Sequence, residues 1–196
     1  FVRHGRLVST HGRHPDSHQY FTARPNDVGD DRPVVVLIDS GSASAAEIVA
    51  AAIQDNRRGV VVGSLSYGKG TVQTVLRLPN RGELTLTWAR FHAPSGYPLA
   101  GTGVTPDVCT SRHPDPALEQ VLAELRADRS AENRAGDPLS KAVGRPDDTG
   151  QPAAACPTRP GGSPADLAVA RRLLSDRALY RSASTAAPAI AQAAQQ

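Results

Sequence analysis

Methionine is absent from this 196-residue chain, and lysine nearly so: of 22 basic residues only Lys69 and Lys141 are lysines, the rest being arginine. A chain that starts at Phe1 and lacks methionine is expected to be a processed product or part of a longer protein. No run reaches the roughly 18 apolar residues of a membrane-spanning helix, and no signal peptide stands at the front. Aromatics are scarce (three Phe, four Tyr, one Trp), and the net charge of +3 is spread along the chain. The basic stripe with interleaved aromatics that nucleic acid calls for is therefore missing. Cysteine occurs only at 109 and 156, with no C-x-x-C pair, which argues against zinc. A disulfide in an oxidising compartment and two unrelated thiols remain equally open. No metal or other cofactor is called for.

What is present is enough for one domain of ordinary size. Residues 1–32 are polar and rich in His, Arg, Gly and Pro, and read as a short strand followed by a loop. The run from Pro33 to Asp39 is continuously apolar through Val34-Val35-Val36-Leu37-Ile38, the pattern of a strand buried on both faces. A small-residue turn follows over 40–44, and then Ala45, Ile48, Val49, Ala52 and Ile53 recur with helical period. Gly59-Val60-Val61-Val62-Gly63 supplies a second buried strand, which completes a βαβ unit and so predicts a partly parallel sheet. Strands are expected over 71–78 and 83–90 around the turn-rich Pro79-Asn80-Arg81-Gly82, and a short amphipathic helix over 116–127. The fold class is mixed α/β: a core over 33–127, a flexible linker over 128–164, and a C-terminal helix with a low-complexity tail over 165–196.

Two segments could carry chemistry. In Gly41-Ser42-Ala43-Ser44-Ala45-Ala46-Glu47-Ile48, Ser44 stands where a buried strand turns into a helix. There its hydroxyl is presented at the sheet's edge and the Ala45 N–H points where an oxyanion would form. Ser44-x-x-Glu47 is equally a capping box that needs no chemistry. The second segment, Gly63-Ser64-Leu65-Ser66-Tyr67-Gly68-Lys69-Gly70, nearly matches a phosphate-binding loop. It lacks the Ser or Thr after the lysine, however, and leads into a strand pattern rather than a helix. Taken together the segments say more. Both lie at the carboxyl ends of their strands, where open α/β sheets place sites. A serine nucleophile paired with a neutral lysine as base is a known chemistry, and Gln73, on the same side of an extended run as Lys69, could orient the amine.

With these residues in view, the chain resembles the carboxy-terminal processing peptidases, or tail-specific proteases. The resemblance is carried by 41–48, Gln54-Asp55, Val61-Val62-Gly63, Tyr67-Gly68-Lys69-Gly70-Thr71-Val72-Gln73, Pro94-Ser95-Gly96 and Gly103-Val104-Thr105-Pro106-Asp107-Val108, across roughly 20–127. It implies a ClpP/crotonase-like peptidase core and a serine-type endopeptidase cleaving proteins with apolar C-terminal tails. Ser44 would be the nucleophile, Lys69, twenty-five residues on, the general base, and Gln73 its support. It further implies an upstream PDZ domain and an upstream strand with a second oxyanion donor, so that the chain alone should be nearly inactive. A periplasmic or other extracytoplasmic location goes with the family. Ala46 departs from the usual serine without expected consequence.

Two alternatives of different class stand beside this one: a nucleotide-binding module built on 63–70, and an inactive remnant used as a binding scaffold. The Arg3-His4-Gly5 triplet matches a motif of histidine phosphatases but lacks the buried strand that should precede it. His11-x-x-His14-x-x-x-His18 has loose metal-ligand spacing in a Pro/Arg loop and reads as incidental.

Overall fold

The computed structural model describes residues 1–113, 117–135 and 156–185. Its centre is the βαβ unit. Strand β3 (Val35–Ile38) pairs in parallel with β4 (Val60–Gly63), and β4 in turn with the short β7 (Val108–Cys109). The alternation of side chains sorts β4 between two cores. Val60 and Val62 pack with Val121, Leu122, Val169 and Leu173, from helices α2 (Leu118–Ala135) and α3 (Pro164–Ser175). Val61 faces the other way, towards Ala50 and Ala51 of α1 (Ala45–Asp55), with Leu99 and Val104. The result is a helix–sheet–helix layering with β4 buried at every position.

α1 ends in a left-handed turn. Arg57 has φ 53°, its N–H donates to the Gln54 carbonyl, and the Arg58 N–H donates to that of Ile53. This is the Schellman arrangement with arginine where glycine is usual. The second sheet is antiparallel, in the order β2-β1-β6-β5. It contains β1 (Arg6–His11), β2 (Gln19–Thr22), β5 (Thr71–Arg77) and β6 (Glu83–His92). The β5–β6 register steps between Val72 and Gln73, where Trp88 is passed over on β6. That step is a β-bulge.

Several expectations need correcting. Residues 1–32 hold two paired strands and a 3-10 turn (Pro15–Ser17), not one strand and a loop; the polar sequence hid a strand whose inner residues, Ser9 and Thr10, are themselves buried and polar. β3 is not buried on both faces: Leu37 is 45% exposed, because among the described residues β3 has a partner on one edge only. The expected linker 128–164 begins as helix, α2 running on to Ala135. It ends as packed chain, with Cys156 buried and bonded to Cys109 across a Cα–Cα distance of 5.6 Å. Its middle, 136–155, and the tail 186–196 lie outside the described residues. The single C-terminal helix is two, α3 and α4 (Arg177–Thr185), broken at Asp176, which is extended (φ −120°, ψ 97°).

Candidate active site

The site is assembled where β3 and β4 end. After Ile38, the Asp39 carboxylate folds the chain back by accepting from the Gly41 and Ser42 N–H groups, both at 3.0 Å, and from the Ser42 hydroxyl at 3.1 Å. Two residues after Ser42 comes Ser44, at φ 57° and ψ −118°. This backbone conformation belongs to the first central residue of a type II′ turn and favours glycine. Holding serine there costs of the order of 1–3 kcal/mol. The next residue, Ala45, opens α1, and its N–H has no acceptor among the described residues. A sharp turn that lifts a hydroxyl at a strand's end, beside a helix's free N–H, fits an attacking oxygen and half of an oxyanion hole.

Beyond β4, the loop to Lys69 is drawn onto this turn. The Tyr67 N–H donates to the Ser42 carbonyl at 3.0 Å. Glu47, fully buried in the first turn of α1, makes the larger connection. Its Oε2 accepts from the Ser44 N–H and the Lys69 N–H, both at 2.8 Å. Its Oε1 accepts from the Gly68 N–H at 2.6 Å and the Ser66 hydroxyl at 2.5 Å. Four donors fill the lone-pair positions of an ionised carboxylate, so this buried charge is satisfied without a cation. The Ser66 hydroxyl in turn accepts from the Val104 N–H at 2.7 Å. Gly70 lets the loop close: a Cβ there would stand 2.2 Å from the Ala100 nitrogen.

The backbones of Ser44 and Lys69 thus flank one oxygen atom, at the strand ends to which the βαβ order assigns the two segments. Other expectations are met differently. The Lys69 side chain is exposed and has no hydrogen-bond or ion-pair partner among the described residues. Gln73 is exposed, its Nε2 donating to Thr87 Oγ1 of β6 at 3.3 Å. The phosphate-loop reading of 63–70 loses its footing, because the chain continues into β5 and not a helix. The Gly68 and Lys69 amides that would cradle phosphate are already spent on Glu47. His11 and His18 do come together, and His92 joins them: ring centroids are 5.2 Å apart for His11 and His18 and 4.3 Å for His11 and His92. The rings are stacked rather than convergent, and among the described residues no three His, Cys, Asp or Glu are grouped to hold a metal ion.

Other residues of the family pattern act as ties around the site. Asp55 Oδ2 accepts from the Ser95 N–H and hydroxyl at 2.9 and 2.7 Å. Asp107 accepts from Gln54 Nε2 at 2.9 Å and from the Val61 N–H at 2.7 Å, and burial pushes its carboxyl up to about 7. Glu47 is the residue that reasoning on sequence undervalued. The capping-box pattern pointed to its bond with Ser44, but nothing in the sequence pointed to the bonds with Ser66, Gly68 and Lys69. A further contact was also out of reach of the sequence. The Ser40 N–H donates to the Arg159 carbonyl at 3.2 Å, and the Ser64 hydroxyl donates to the same carbonyl at 3.1 Å. The segment after Cys156 therefore bridges the starts of both site loops.

The chain is similar to known peptidases. The family model described as "Peptidase family S41" matches residues 1–110. A carboxy-terminal-processing protease of Bartonella bacilliformis is 47% identical over 124 residues, which is 63% of this chain and 27% of that protein. A chloroplastic C-terminal processing peptidase of Tetradesmus obliquus is 39% identical over 88 residues, 45% of this chain and 19% of that protein. Among solved structures, the photosystem II D1 C-terminal processing protease superposes with a TM-score of 0.52 at 34% identity, covering 61% of this chain and 31% of that one. The chain thus spans about a fifth to a quarter of the length of the curated relatives it matches.

Proposed function

The chain belongs to peptidase family S41, and from that premise we propose that it carries the Ser-Lys centre of an endopeptidase that cleaves proteins near their C-termini. Ser44 attacks the scissile carbonyl while Lys69 takes its proton. The tetrahedral intermediate collapses as its C–N bond breaks and Lys69 returns the proton to the departing amine, leaving an acyl-enzyme ester that water then hydrolyses. The Ala45 N–H stabilises the oxyanion. The observation that carries this reading is the Glu47 carboxylate joining the Ser44 and Lys69 N–H groups, together with the strained backbone of Ser44.

Lys69 must be neutral to act as a base, which requires desolvation. Exposed as it is here, it gains that desolvation when an apolar substrate tail covers the loop, with Gln73 swinging in from Thr87 to orient the amine. The outer edge of β3 is unpaired among the described residues, and an upstream strand carrying the second oxyanion donor fits there. A PDZ domain upstream would deliver the substrate. The Cys109–Cys156 disulfide favours a compartment outside the cytoplasm, and one of the relatives named above is chloroplastic. Among the described residues no helix is long and apolar enough to cross a membrane.

The test uses the whole protein that carries this chain, acting on an unstructured substrate with an apolar tail. Ser44→Ala should abolish both turnover and labelling by a fluorophosphonate. Lys69→Arg should be as damaging as Lys69→Ala, because guanidinium stays protonated at any working pH. An arginine variant that keeps a tenth or more of wild-type turnover would refute the lysine's role as base.

A further inference from the structure

The pole opposite the site carries a cavity of about 470 Å³ between the loops that lead into β3 and β4 and the helices α3 and α4. Its lining contains five arginines, Arg32, Arg57, Arg58, Arg177 and Arg181, and one carboxylate, Asp31. Asp31 is engaged elsewhere, 3.0 Å from the Arg3 guanidinium. Arg58 is held by Asp27 and by the Phe1 and Arg32 carbonyls. The side chains of Arg32, Arg57 and Arg177 have no hydrogen-bond acceptor or carboxylate partner among the described residues.

Three like charges brought together with no partner of their own repel one another and weaken the fold that gathers them. Two of the residues concerned are also held in strained backbone: Arg57 at φ 53° and Asp31 at φ 57°. At the left-handed position that ends α1, glycine would carry no strain, yet the residue there aims a guanidinium at this cavity. Such outliers concentrate where ligands are clamped. The floor is apolar, formed by Leu173 and Pro33 with the ring of Tyr180. The Tyr180 hydroxyl is fixed by the Val34 N–H and carbonyl, each at 3.0 Å.

We propose that this cavity binds an organic phosphate, its phosphate or diphosphate group held by Arg32, Arg57 and Arg177 and its apolar part lying against Leu173 and Tyr180. Planar guanidinium groups bind phosphate oxygens in pairs, and three unpartnered cations call for more charge than a single carboxylate brings. The ligand is not a substrate for cleavage. Arg32 and Arg57 precede β3 and β4, whereas Ser44 and Lys69 follow them. The phosphate belongs either to a soluble ester or to a phospholipid headgroup.

The experiment is calorimetric titration of the whole protein with inorganic pyrophosphate and with phenyl phosphate, independent of any peptidase assay. Saturable binding of one equivalent, weakening as salt is raised, is expected for both. Arg57→Ala combined with Arg177→Ala should weaken it at least about tenfold, in line with losing charge-assisted hydrogen bonds. Both side chains are exposed, and an unchanged melting curve in the absence of ligand shows the variant to be folded. Arg57→Lys with Arg177→Lys should recover only part of the affinity, since charge is restored but the paired geometry is not. Co-sedimentation with vesicles of equal parts phosphatidylcholine and phosphatidylglycerol, reversed by pyrophosphate, identifies a headgroup as the source; titration without co-sedimentation identifies a soluble ester. Absence of saturable binding, or equal binding by the double alanine variant, overturns the proposal.

Discussion

Replacing Glu47 by glutamine tests how the site is held together. The substitution preserves shape but removes the charge and exchanges one acceptor oxygen for an NH2 group. If that group takes the Oε2 position, the Ser44 and Lys69 N–H donors, each now at 2.8 Å from an acceptor, are left facing another donor. If it takes the Oε1 position, the Ser66 hydroxyl can rotate to accept, but the Gly68 N–H is stranded. At least one buried donor is therefore unsatisfied, at about 1–3 kcal/mol. Loss of a negative charge in the first turn of α1 adds roughly 0.3–1 kcal/mol. The total of about 1–4 kcal/mol corresponds to a fall in melting temperature of roughly 3–16 °C for a domain of this size. Thermal unfolding followed by circular dichroism reads the stability. The labelling rate of Ser44 by a fluorophosphonate, at a temperature where the variant is fully folded, reads the geometry of the site. Both should fall, and Glu47→Asp, one methylene short of reaching the Lys69 loop, should not rescue either. A Glu47→Gln protein that melts within a degree or two of wild type and labels at the same rate would refute the view that this carboxylate clasps the two loops.

Removing the Cys109–Cys156 disulfide, by reduction or by Cys109→Ser with Cys156→Ser, opens a loop of sequence separation 47. Chain entropy alone puts the loss at about 4 kcal/mol, read as a lower melting temperature, and two free thiols in the unreduced protein by mass spectrometry would contradict the bridge. Asp107, whose carboxyl is raised by burial to about 7 against an ordinary 3.8, favours the native state when protonated. Its contribution is full below about pH 4 and is lost as pH rises through about 7. Asp107→Asn should flatten that part of the stability profile, and an unchanged slope in the variant would show that Asp107 does not titrate there.

The βαβ unit was legible because its signals are local. An unbroken apolar run, a small-residue turn and a helical period from Ala45 each declare themselves within about ten residues, and the chain order then dictates a parallel pair. β1 and β2 were not legible as a pair. Their residues are polar, and what holds β1 is its position between β2 and β6, the latter more than seventy residues away in sequence. The end of α2 was misplaced for the opposite reason: residues 128–135 are polar enough to read as linker, yet they extend a helix already nucleated by Val121, Leu122 and Leu125 in the core, and propagation is cheap once a nucleus exists. The break at Asp176 has neither glycine nor proline to announce it.

The site divides along the same line. Ser44 and Lys69 could be picked out one by one, since a serine at a strand-to-helix turn and a lysine kept in an arginine-rich chain are properties of residue type and position. What joins them could not, because backbone amides have no letter in the sequence. A buried glutamate is ordinarily explained by a cation, and a reader of the sequence looks for one. Here the Glu47 charge is met by the Ser66 hydroxyl and three N–H groups, the latter donors that any residue except proline could supply through its backbone. The glycines around Lys69 therefore matter less for flexibility than for approach: Gly70 admits the Leu99–Ala100 backbone where a side chain would collide, and only with the loop pressed that closely can its amides reach Glu47. The sequence pattern Gly-Lys-Gly thus reads as a lysine between small residues, while the structure gives it a second meaning, a backbone stripped of obstruction so that one carboxylate can hold the Ser44 turn and the Lys69 loop at once.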